Sequence, residues 1–200
     1  MSELFIFVQL GFRHITDLNA MDHILFLIAL AAIYRPRDWR SALWVVTAFT
    51  VGHSITLAMA VSGAVTLPTA LIEFLIPVTI VATCAGNILN GARDAHSRGR
   101  YRPLFAGVFG LVHGAGFANY LRDLFADRIA TPLLGFNIGI EIGQVVVLGL
   151  AAIALVGADR VIRFLRAFRA EQSVLRVRVL LVSTVVMFVA VRWAVERNPW

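Results

Sequence analysis

The 200-residue chain holds five histidines and twelve acids, and most of the acids lie in polar connections. The exceptions stand in or beside apolar runs: His14, Asp17, Asp22, His23, His53, Glu73, His113 and Glu141. A charge near the centre of a bilayer costs at least about 2.5 to 3.5 kcal/mol, so such residues face a polar interior and need partners. Neutral imidazoles and carboxylates together suit a borderline divalent transition metal such as nickel, cobalt or zinc, and the lack of a Cys or Met cluster argues against cuprous copper. Asp22 and His23 are neighbours in "NAMDHILFLIAL" and would point about 100° apart on a helix. His23 is therefore the expected ligand and Asp22 a group that orients a neighbour.

Spacing extends the set. His14 and Asp17 are three apart, and Asn137, Glu141 and Gln144 share one helical face; Thr47, Thr50, His53 and Ser54 form a polar stripe. The expected ligands are His14, Asp17, Asp22, His23, His53, His113 and Glu141, with Glu73, Ser54, Asn137 and Gln144 supporting them or lining a pathway. Any one of these, taken alone, is equally well explained as an interhelical hydrogen-bond partner. His96, in an Arg-rich loop, reads as a solvated surface residue.

The elements that must carry these groups are membrane helices. Hydrophobic residues make up 59% of the chain and charged ones 15%, with a mean hydropathy of +0.80, far from the soluble globular range. A helix needs roughly 20 apolar residues to cross about 30 Å of hydrocarbon. Six stretches qualify: 17–34, 41–62, 68–90, 103–121, 132–157 and 174–192. Residues 4–12 are apolar but too short to span and lack the basic start of a signal peptide, which predicts an interfacial or half-inserted helix. The expected fold is a single all-α integral membrane domain over residues 1–200, a polytopic bundle of about six spans plus that short helix.

Charge sets the expected orientation. All 18 basic residues are Arg; three lie in "RPRDWR", four in "RDAHSRGRYR" and six in residues 158–178. By the positive-inside rule these loops are cytoplasmic and both termini outside. The net charge of +6 therefore reflects topology, and no aromatic-interleaved basic surface suggests nucleic acid. The run "DRVIRFLRAFRA" alternates Arg with aliphatic residues, as a cytoplasmic helix lying against anionic headgroups would. Pro77 invites a kink in the third span. Gly135, Gly139 and Gly143 bare one face of the fifth, and Gly107, Gly110 and Gly114 do the same in the fourth, inviting close helix approach. The single cysteine, Cys84, allows neither a disulfide nor a thiolate metal cluster.

Depth, counted at about 1.5 Å per residue from the nearest turn, gathers the polar residues into one layer. His14, Asp17, Asp22 and His23 fall at the outer mouth, and Glu73, His53, His113 and Glu141 fall within about ten residues of the outer turns.

The stretches "GFRHI", "MDHILFLIAL", "TAFTVGHSITLAM", "IEFLIPVTI", "FGLVHGAGFANYL" and "GFNIGIEIGQ" resemble, in order, the HupE/UreJ family of hydrogenase and urease accessory membrane proteins, in its second subgroup. The resemblance covers nearly the whole chain. It implies a compact bundle acting as a nickel or cobalt permease of the bacterial inner membrane, with metalloenzyme maturation proteins as further partners. It carries the family's His and Asp-His signature onto His14, Asp22 and His23, its second-span histidine onto His53, its His-Gly onto His113 and its fifth-span acid onto Glu141.

Two other readings compete with a permease. One is an intramembrane zinc hydrolase with Glu73 or Glu141 as general base. The other is a membrane protein that holds metal for a partner without moving it. No phosphate-binding Gly-Lys motif points to ATP-driven transport, and the cytoplasmic half is nearly free of obvious ligands.

Overall fold

The computed structural model describes residues 2–19, 21–65, 68–90, 101–124, 129–166 and 171–200. His96 and most of its loop lie outside the described residues, as do residues 167–170 of the Arg-rich run. The described residues form seven α-helices and no strand: α1 Glu3–Thr16, α2 Asp22–Ala31, α3 Trp39–Val61, α4 Thr69–Asn90, α5 Tyr101–Leu124, α6 Ala130–Arg166 and α7 Glu171–Glu196. The expected all-α bundle is the observed fold.

Four of these helices are long and apolar enough to cross a membrane, namely α3, α4, α6 and α7. The first expected span, 17–34, is interrupted. Among the described residues of its polar start, Asp17, Leu18, Asn19 and Met21 lie outside both helices, and α2 keeps ten helical residues, a rise of about 15 Å. The fifth expected span is longer than its apolar run: α6 continues unbroken for 37 residues to Arg166. The Arg-rich run is thus collinear with α6 up to that point, since no Pro interrupts it after Gly157.

Glycines set the helix pairing. A Cβ at Gly139 would collide with the Val8 carbonyl, and one at Gly11 with the Phe136 carbonyl. Gly135 faces Leu4 and Phe7, and Gly143 faces Phe12 and Ile15, so α1 and α6 run parallel with their backbones in contact. The close approach replaces the apolar surface that a short helix lacks. A second pair, α3 and α5, is built the same way, with Gly52 against Gly107 and Gly110 and Gly114 against Phe49 and His53.

One end of the bundle gathers cations. The buried Arg178 donates from Nε to Ala32 O (3.1 Å), from Nη2 to Tyr34 O (2.8 Å) and from Nη1 to Asp159 (2.7 Å), tying the end of α2 to α6 and α7. At the other end Arg197 contacts Asp22, and Trp200 packs on Phe74 at 5.5 Å. The parallel run of α1 and α6 puts both termini at this second end, away from the arginine-rich turns.

Candidate metal centre

Four histidines from four helices converge inside the bundle. His14 comes from α1, His23 from α2, His53 from α3 and His113 from α5. Ring centroids lie 4.7 Å apart for His14 and His23, 5.9 Å for His14 and His53, 6.0 Å for His23 and His53 and 5.1 Å for His23 and His113. One nitrogen from each of His14, His23 and His53 lies within 4.8 Å of the other two. An ion at the centre of such a triangle is about 2.8 Å from each nitrogen at most, so a shift of about 0.7 Å per ring reaches the usual 2.0 to 2.1 Å bond.

The local helices explain the convergence. The tight α1–α6 contact carries His14 inward, and the turn at Asp17 to Met21 returns the chain so that His23 opens α2 beside it. Gly114 allows α5 to touch the backbone of His53 itself, which brings His113 into the same layer. The rings are walled by Phe: Phe117 lies 4.1 Å from His14 and stacks on Phe136, Phe49 lies 5.1 Å from His113, and Phe26 lies 5.7 Å from His113.

Inside this wall the polar atoms lack protein partners. His14 Nε2, both ring nitrogens of His23 and of His53, and His113 Nδ1 are buried without a hydrogen bond. A buried polar group left unpaired costs about 1 to 3 kcal/mol, so six nitrogens in one place call for an occupant that accepts lone pairs or bridges them. His113 indicates which. Thr79 Oγ1 lies 2.7 Å from Ile76 O and 3.0 Å from His113 Nε2. Its one proton goes to the carbonyl, so His113 Nε2–H donates to Thr79 and Nδ1 keeps its lone pair. A threonine on α4 thereby fixes the tautomer of a fourth histidine beside the group. Nothing in the spacing of Thr79 marks it in the sequence; Pro77, two residues before it, is the nearest signal.

The acids stand apart from this cluster. Asp17 ends α1, is exposed, and accepts from the backbone N–H of Asn19 at 2.8 Å. It lines, with Arg13, His14, Asn19 and Phe117, a cavity of about 610 Å³ at the α1–α2 turn. Asp22 accepts two contacts from Arg197 at 3.2 and 3.3 Å, while its neighbour His23 turns inward, the divergence that adjacent helical positions impose. Glu141 accepts from Thr47 at 2.9 Å on an exposed face of α6, and Gln144 accepts from Thr50 at 2.8 Å in the interior. Glu73 is exposed. Ser54 donates to Thr50 O at 2.6 Å, and Asn137 Oδ1 is buried without a partner. The structure therefore brings together His14, His23, His53 and His113, and none of Asp17, Asp22 or Glu141 joins the three-histidine group. His14, expected at the outer mouth, stands beside His23 and His53, because α1 runs along α6 and carries it inward.

Three or four neutral imidazoles in an apolar chamber can hold a divalent transition metal, with no anion among the described ligands to offset its charge. Residues 1–197 match the family model described as HupE / UreJ protein. Comparison with curated proteins and with solved structures returns no match.

Proposed function

The chain belongs to the HupE/UreJ family, and from that premise we propose that it is a permease carrying nickel or cobalt into the cell across the bacterial inner membrane. The observation that carries this reading is the cluster of His14, His23, His53 and His113, with six unpartnered ring nitrogens inside the bundle. Imidazoles without carboxylates leave the charge of a divalent ion uncompensated among phenylalanines, where low dielectric makes it costly. Such a site favours passage over permanent residence.

The termini face outward in this proposal and the arginine-rich turns face the cytoplasm. A hydrated ion gathers in the cavity beside Asp17 and Asn19, exchanges water for His14, and is taken up by His23, His53 and His113. Asp17 and Glu141 flank the route, and Asp22 keeps α2 in place by its ion pair to Arg197. A potential of about 100 mV, negative inside, supplies roughly 4.6 kcal/mol for a divalent ion, so uniport needs no ATP.

The test is flux into liposomes holding a metal-sensitive dye. Entry of nickel or cobalt that is lost in His23→Ala and His113→Ala supports the permease. Stoichiometric metal binding without entry overturns it. A zinc hydrolase would show turnover instead of entry, but Glu73 and Glu141, the expected general bases, are both exposed and outside the histidine cluster.

A further inference from the structure

The inward half of the route is also built into the fold. Below the histidines, between α2, α3, α4 and α5, lies a cavity of about 350 Å³ lined by Phe26, Thr83, Asn87, Asn90, Arg102 and Phe109 among others. At about 30 Å³ per water it has room for about twelve, and most of its wall is apolar, with Leu30, Ile33, Val45 and Phe105 also lining it. Its polar wall is one face of α4. Thr79, Thr83, Asn87 and Asn90 follow one another at spacings of four, four and three residues, which stacks them along a single stripe.

The stripe begins at the site itself, since Thr79 pairs with His113. Thr83 donates back to Thr79 O at 2.9 Å, Asn87 donates to Ala29 O at 2.8 Å and to Ser183, and Asn90 donates to Gly86 O at 2.8 Å. These bonds use the hydroxyl and amide hydrogens and hold the side chains along the cavity. Hydroxyl and amide oxygens bind a hydrated cation more weakly than imidazole, the gradient that release requires. At the far end Arg102 stands over the Tyr34 ring at 6.0 Å.

Phe26 touches both the cluster and the cavity. The Phe26 ring is 2% exposed, lies 5.7 Å from His113 and 4.9 Å from Phe49, and also lines the cavity. Apolar constrictions of this kind close a pore by excluding water. We propose that the α4-lined cavity is the exit half of the metal pathway and that the Phe26 ring is its inner gate. This rests on the permease reading.

The experiment pairs accessibility with flux. In a Cys84→Ala background, Thr83→Cys is treated with a membrane-impermeant thiol reagent in inverted membrane vesicles and in spheroplasts. Labelling is expected only in inverted vesicles, and in spheroplasts only when Phe26→Ala is added. In liposomes, Phe26→Ala should keep cobalt binding within about twofold while raising cobalt flux by about threefold or more, as removal of an apolar barrier does. Phe26→Leu, which retains most of the bulk, should raise flux less than Phe26→Ala, and the melting temperature of each variant in detergent is the folding control. Flux in the unsubstituted protein with Thr83→Cys unlabelled from the arginine-rich side, or with Phe26→Ala flux unchanged, overturns the gate. Cobalt binding without flux in the unsubstituted protein overturns the permease reading and the gate with it.

Discussion

The imidazole rings of His14 and His23 meet edge to face at 4.7 Å across the end of one helix, the Asp17 to Met21 turn and the start of another. Both point into the bundle and both carry unpartnered nitrogens. Such a pair is stable around a shared cation and costly without one, because every lone pair or N–H left dry loses its hydration. His14→Ala and His23→Ala should each weaken cobalt or nickel binding by tenfold or more, about 1.4 kcal/mol or greater. Equilibrium dialysis of the purified protein checks this. Unchanged affinity in both variants would remove the cluster from the metal's path.

Thr79 bears on the proposed metal site through His113. Thr79→Val removes the oxygen that accepts the Nε2–H while keeping the shape of the side chain, so the ring loses its preferred tautomer and Nδ1 is no longer held ready. Binding should weaken by about ten- to a hundredfold, the usual effect of losing a group that orients a metal-bound histidine, and stability should fall by about 1 to 3 kcal/mol because the Nε2–H is left buried and unpaired. Thr79→Ser restores the hydroxyl and should restore affinity. Equal loss in both variants would mean that the methyl group, and hence packing, is what matters.

Much of this site was legible in the sequence, and the reason is chemical. An imidazole in an apolar run is rare and expensive, so His14, His23, His53 and His113 stood out by type alone. The opposed directions of Asp22 and His23 followed from helical geometry. Depth was less legible. His14 was expected at the mouth because it lies close to a polar turn, but its position is set by the glycine contact between α1 and α6, a tertiary property. Glu141 falls in the same layer by residue count, yet it bonds Thr47, six residues before His53 on α3, since counting residues from a turn gives neither the tilt of a helix nor the face it presents to neighbours. The Thr79 to Asn90 stripe carries no distinctive signal in the sequence, because hydroxyls and amides are common in packed membrane helices. The break in the first span was visible only as a polar patch, and whether such a patch bends the chain depends on what packs beside it.

The glycine contacts yield a prediction with an internal control. A Cβ at Gly139 would strike the Val8 carbonyl, so Gly139→Leu must push α1 off α6 and carry His14 away from its partners. Metal binding should then fall about as far as in His14→Ala, tenfold or more. Gly149, on the same helix, has open space around it. Gly149→Ala should leave binding unchanged and raise stability by about 0.5 to 1 kcal/mol through helix propensity. If the two substitutions behave alike, the parallel α1–α6 contact is not what seats His14.

The Asp22–Arg197 pair separates a structural acid from a metal-binding one. Its side chains are 15% and 32% exposed, so water screens it in part and its removal should lower stability by about 1 to 3 kcal/mol. Asp22→Asn and Arg197→Gln should each lower the melting temperature in detergent, and the double variant should lose less than the sum, because each single change already breaks the same contact. Metal affinity should stay within a few-fold in all three, since His23 faces the other way. A tenfold loss confined to Asp22→Asn, with Arg197→Gln normal, would instead put the carboxylate on the ion.

Arg178 makes the opposite case, a charge whose geometry matters more than its sign. Its guanidinium is buried and spends Nε, Nη1 and Nη2 on Ala32 O, Asp159 and Tyr34 O, which fastens the end of α2 and thereby the helix that carries His23. Lys offers one compact ammonium and cannot reach three acceptors placed around a planar fork. Arg178→Lys should therefore replace the guanidinium only in part. Arg178→Ala should destabilise by about 3 to 5 kcal/mol, the usual cost of leaving one side of a buried ion pair, here Asp159, without its partner, and Arg178→Lys, which keeps that charge, by about 1 to 3 kcal/mol for the carbonyls left unpaired. Adding Asp159→Asn to Arg178→Ala should recover part of that loss, because it removes the stranded charge while the Ala32 and Tyr34 carbonyls stay unpaired. Thermal unfolding in detergent reads all three, and full stability in Arg178→Lys would show that charge alone holds α2 in place.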